Sequence, residues 1–151
     1  MIEDVLDELK TLLTDNLPAE IAADGLATFR RVLIAEEDVP PTAMPVLFLL
    51  PQTTEELGNL NVALHDEQHT ILVVALHQHV DTQILARQLM QYKNAIRRVV
   101  MRDLPQSPVQ FIFDRRIVRH AYSRTREIEE GGAYTREVHL EIRCRERVLE
   151  I

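Results

Sequence analysis

Two histidines four residues apart, His65 and His69, enclose Asp66, Glu67 and Gln68. That spacing invites a zinc-protease reading, in which both imidazoles hold one metal from a single helical face. The chemistry fails, because the acidic residue acting on zinc-bound water must be a glutamate directly after the first histidine, and Asp66 stands there. The placement fails too, since the DEQH segment reads as a tight connection between strands. His77 and His79 share one strand face, as two ligands could, yet no third ligand is placed by spacing. The histidines are therefore expected to be surface polar residues with no metal role.

Other catalytic chemistries find less support. Ser107 and Ser123 are the only serines, and neither lies in a G-x-S-x-G nucleophile turn. The four glycines form no phosphate loop and no dinucleotide fingerprint. Cys144 falls on the apolar face of an alternating segment, where a buried, inert thiol is expected rather than a nucleophile. Carboxylate pairs such as Glu36–Glu37 and Glu129–Glu130 sit in loop-like sequence, as solvated charge does. The residues imply neither an enzyme nor a cofactor.

Charge distribution is more informative. Residues 1–80 set Lys10, Arg30 and Arg31 against 14 Asp and Glu, a net of −11; residues 81–151 carry the other 14 cations against ten carboxylates, a net of +4. Lys93 is the only lysine of the second half, so its cations are almost all arginine, the side chain suited to ordered, bidentate pairing with carboxylates. Arg87, Gln91, Asn94, Arg98 and Arg102 form a polar line at helical spacing, and Arg143, Arg145 and Arg147 form one row at strand spacing. The strand row reads either as a charged face that guards a sheet against edge-to-edge pairing, or as a docking surface for the carboxylates of another subunit. On the docking reading, the candidate subunit-interface residues are Arg87, Arg98, Arg102, Arg143, Arg145 and Arg147 on one side and Glu36, Glu37 and Asp38 on the other.

The elements that must position these residues follow from periodicity. Ile2, Val5, Leu6, Leu9, Leu12, Leu13 and Leu17 recur at steps of three and four, predicting a helix over 2–16 that ends before Pro18. A strand is expected around Phe29 to Ile34, then a proline-rich loop, then a strand VLFLL (46–50) with both faces covered. Gln52 to Asn61 reads as polar and turn-like. Asn61–His65 and Thr70–His79 read as two strands. Asp81 or Thr82 caps a second helix running to about Arg102, with Leu85, Leu89, Tyr92, Ile96, Val99 and Val100 as its apolar stripe. Val109 to Tyr122, interrupted at 114–116, and Val138 to Arg145 then form an antiparallel hairpin joined by a glycine loop over 129–133. The order predicts one α+β domain over 1–151: a mostly antiparallel, or mixed, sheet with an N-terminal helix and a second long helix packed on it.

The chain has 151 residues and a formal charge of −7, which opposes general affinity for nucleic acid because such binding is mainly neutralisation of phosphate. Its longest apolar runs fall far short of the roughly 20 residues that cross a bilayer. The acidic, amphipathic start MIEDVLDELK is unlike a secretory signal, and a lone cysteine cannot form an internal disulfide, so the cytoplasm is the expected compartment.

DTQILARQLMQYKNAIRRVVMRDLP, preceded by TILVVALHQHV and followed by two long strands ending REVHLEIRCRERV, resembles the tail terminator (tail completion) and related neck proteins of tailed bacteriophages. The matching positions are Asp81, Leu85, Leu89, Tyr92, Ala95 and Ile96 and the alternating strand from Val138 to Cys144. The resemblance implies a small α+β virion subunit that assembles into a homo-oligomeric ring, commonly of six, which caps the tail tube and presents a surface to the head-side connector. It implies as partners further copies of the chain, the tail tube protein, the connector or neck protein and, where the tail is contractile, the sheath. DNA would pass through the ring without sequence-specific recognition, and no membrane is involved. Another head–tail joining ring of the virion, or a small cytoplasmic metal- or ligand-binding protein, is the alternative. The family has no catalytic residues to carry over.

Overall fold

The computed structural model describes residues 2–35, 38–59, 64–102, 112–127 and 132–149. Helix α1 (Ile2–Ala23) opens with Glu3 and Asp4, which favour the positive end of its dipole, and buries Val5, Leu6, Leu9, Leu12, Leu13, Leu17 and Ile21 along one stripe. It passes through Pro18 instead of ending before it. An interior proline costs about 3 kcal/mol, and burial of Ile21 beyond that point offsets part of the cost. Gly25, at φ 72°, closes the helix in the left-handed conformation, and the Leu26 amide donates to the Ile21 carbonyl at 3.1 Å.

The strands are β1 (Arg31–Leu33), β2 (Val46–Asn59), β3 (Leu64–His79), β4 (Ile112–Tyr122), β5 (Arg126–Glu127) and β6 (Tyr134–Leu149). They form one sheet in the order β1-β2-β3-β6-β4, with β5 also paired to β6. β1 runs parallel to β2 and the other pairings are antiparallel, so the sheet is mixed but mostly antiparallel, within an α+β fold. The long β3–β6 ladder fixes the faces: Ile71 lies opposite Ile142 and Val73 opposite Leu140, and both pairs enter the core beneath the helices. VLFLL has both faces covered, with Leu47 and Leu49 in the helix-side core and Val46 and Phe48 in a smaller cluster with Val74 on the other face.

Helix α2 (Thr82–Met101) begins at Asp81, whose carboxylate accepts from the amides of Gln83 (2.8 Å) and Ile84 (3.1 Å). Its stripe Leu85, Leu89, Tyr92, Ala95, Ile96, Val99 and Val100 is buried. The Tyr92 hydroxyl donates to the Ala27 carbonyl at 2.6 Å and its ring packs on Phe29 at 4.7 Å, which ties the chain leaving α1 to α2.

Two further sequence expectations need correction. Residues 52–59 are strand and not a turn: they belong to β2 and pair with β3 although 52–58 are exposed and mostly polar, because the backbone ladder rather than burial holds them, with bulges at Pro51/Thr53 and Glu56/Asn59. The DEQH segment is likewise no connection but part of β3 near its start, paired on both sides, to β2 and to β6. Asn61 to Ala63, and Glu129 to Gly131 of the expected glycine loop, lie outside the described residues.

Candidate functional site

The polar line of α2 meets α1. Arg98 donates from Nε to Glu20 (2.9 Å) and from Nη2 to Asp24 (2.9 Å), while Arg102 also bonds Glu20. These two guanidiniums, Arg98 first, hold the Glu20 carboxyl below its ordinary range, and Asp24 and Glu20 in turn raise Arg98. The acidic and basic halves of the sequence therefore pair first within one chain. The same occurs at the sheet: Arg147 donates to Asp66 at 2.9 Å, which lowers the Asp66 carboxyl, and Arg115 lies 3.8 Å from Glu8. Asp38 is exposed and lines a cleft of about 280 Å³ with Arg124, Arg126 and Arg136 of the basic half.

Intramolecular pairing leaves these arginines reachable from outside, for the side chains of Arg98 and Arg102 stay 43% and 42% exposed. Arg87 and Arg143 are exposed, and Arg145 is half-buried. Glu36 and Glu37 lie outside the described residues. Spacing did not single out the apolar side chains that accompany the arginines: Ile84, Met90 and Met101 are exposed on α2, and Val80 is exposed just before it. Arg87 thus stands among exposed apolar groups on a helix whose opposite side is fully buried. This mixture of exposed apolar area and arginine suits a protein contact better than a purely solvated face.

The sheet face away from the helices carries a second concavity, about 520 Å³, lined in part by Gln68, Thr70, Arg119, His139, Glu141 and Arg143. His139 Nε2 lies 2.7 Å from Glu137, and that contact lowers the Glu137 carboxyl. Arg143 of the predicted row opens onto this surface.

His65, His69 and His77 are not the surface residues that the sequence suggested. His65 and His69 are buried, because the continuous β3 turns its odd-numbered side chains to the helix side of the sheet together with Ile71 and Val73. His77 lies on the same side with its ring edge-on to Tyr92 at 5.6 Å; burial, followed by the charge of His79, pushes it down to about 4, against a weaker upward pull from Gln88. Burial likewise pushes the Tyr92 hydroxyl up to about 12. Cys144 is buried, as its place in the alternation implied.

No helix among the described residues is long and apolar enough to cross a membrane. No protein-family profile and no curated protein matches the chain. Among solved structures, a chain in the virion of a native gene transfer agent particle shares the fold: the TM-score is 0.54, with 15% sequence identity over 91% of this chain and 93% of that one.

Proposed function

We propose that the chain is a structural subunit of a phage-type virion, a tail terminator that forms a ring, caps the tail tube and joins it to the head-side connector. The observation that carries this reading is the shared fold with a virion chain, extending over nearly the whole length of both. A virion role agrees with a location at the tail or neck after assembly in the host cytoplasm.

A closed ring needs a heterologous contact, in which one patch of a subunit meets a different patch of its neighbour. The exposed side of α2 supplies one patch, with Arg87, Arg98 and Arg102 beside Ile84, Met90 and Met101. Arg143, Arg145 and Arg147 supply a separate basic row on β6, on the sheet face away from the helices, and the acidic Glu36, Glu37 and Asp38 supply the patch of opposite charge. Exposed ion pairs contribute only about 0 to 1 kcal/mol each, so the charges set orientation and register while the apolar side chains supply most of the affinity. The ring is assigned six subunits, with the tail tube protein on one side and the connector on the other.

Immunogold imaging of assembled particles tests this directly. An antibody to the chain should label one point per particle, at the head–tail junction. Label spread along the tail or over the head, or particles without label, would overturn the assignment.

A further inference from the structure

Three side chains brought together by the β3–β6 ladder have no part in the ring contact. Glu67 and Glu146 lie directly opposite each other in register, and His69 stands two residues along β3 on the same face. One ligand atom from each falls within 4.8 Å of the other two. His69 is 0% exposed and Glu146 2%, so the cluster sits inside the protein and not on a solvated acidic surface.

His69 is the telling residue. Its Nδ1 is 2.9 Å from the Thr54 hydroxyl, whereas its Nε2, completely buried, has no hydrogen-bond partner among the described residues. That nitrogen points between the two carboxylates, 3.5 Å from Glu67 Oε2 and 3.7 Å from Glu146 Oε1. Both separations are too long for a charge-assisted hydrogen bond, which runs at about 2.7 to 2.9 Å. They fit a different geometry: ligands about 2.1 Å from a tetrahedral zinc ion are about 3.4 Å from one another.

We propose that Glu67, His69 and Glu146 form a binding site for a divalent transition-metal ion of the zinc class. His69 Nε2 and one oxygen from each carboxylate are the three protein ligands, and water completes the coordination. Thr54 is a positioning residue: by accepting the Nδ1 proton it fixes the tautomer that presents the Nε2 lone pair to the metal. His65 is a second positioning residue, with Nε2 3.4 Å from Glu67 Oε1, the oxygen that does not face His69. The ion would cross-link adjacent strands of the arm formed by the polar ends of β2, β3 and β6. Sequence spacing could not reveal the site, because Glu146 reaches it from a strand some eighty residues away.

The test uses the full chain, stripped with a chelator and titrated with Zn2+ by calorimetry and with Co2+ by visible absorption. One equivalent per chain, d–d bands of a four-coordinate nitrogen and oxygen site and a higher melting temperature with Zn2+ are expected. Glu146→Gln should abolish the stoichiometric binding, and Thr54→Val should weaken it about 10- to 100-fold. Absence of an equivalent of metal in the parent protein, or binding unchanged in Glu146→Gln, would overturn the proposal. If Glu146→Gln does not fold, the Co2+ spectrum of the parent and the affinity of Thr54→Val decide. Ring formation is scored separately, since neither result depends on the other.

Discussion

His77 should make the subunit lose stability in mild acid, before its carboxylates titrate. Burial and His79 hold its folded-state pKa at about 4 against an ordinary 6.5. Between those values the unfolded chain binds a proton that the folded chain refuses, so the stability contribution is complete above pH 6.5 and falls until pH reaches about 4. At about 1.36 kcal/mol per pH unit, the full shift caps the loss at about 3 kcal/mol. The imidazole is only partly buried, and solvent screening reduces the change between about pH 7 and about pH 5 to about 1 kcal/mol. Glu20 and Asp66, held low by their arginines, favour the folded state above their unfolded values of 4.5 and 3.8 and lose that effect only at lower pH, so they do not obscure the window. Urea denaturation of the parent and of His77→Phe, which keeps a ring against Tyr92, measures the difference at the two pH values. The parent should lose about 1 kcal/mol more than the variant. Identical pH dependence in the two proteins would refute the burial argument for His77.

Ile96→Ala empties a fully buried position under α2 and should cost about 2 to 5 kcal/mol by chemical denaturation. Asp81→Ala removes the acceptor of two amides at the start of α2, and a loss of about 0.5 to 2 kcal/mol is expected in the same assay. The double reversal Arg98→Glu with Arg102→Glu sets new carboxylates against Glu20 and Asp24; it should lower the melting temperature as well as weaken assembly, and Glu20→Lys should restore part of the melting temperature. Met90 is an exposed side chain, so Met90→Glu should leave the melting temperature near the parent value while reducing oligomeric mass in light scattering.

Where burial dictates residue type, the sequence is readable. The stripes of α1 and α2, the doubly covered VLFLL and the alternation of β6 all follow from apolar spacing, and Asp81 announces its own helix. The misreadings fall where another force decides. Pro18 looks like a stop because local propensity is visible, while the tertiary burial of Ile21 beyond it is not. Residues 52–59 look like a turn because a polar strand held by its ladder carries no apolar pattern. The same blindness hid the histidines: once DEQH is read as a turn, His65 and His69 go to the surface, and only the observed register puts Glu146 beside them. The charge split was legible as a quantity, but spacing could not show that Glu20, Asp24 and Asp66 satisfy arginines of their own chain.

The measurement that bears most directly on the central claim is the mass and image of the purified protein, by light scattering and negative-stain microscopy, alone and mixed with its tail tube protein. A closed ring of one uniform mass, six copies on this account, is the predicted result; a monomer or a two-fold dimer under both conditions would contradict it.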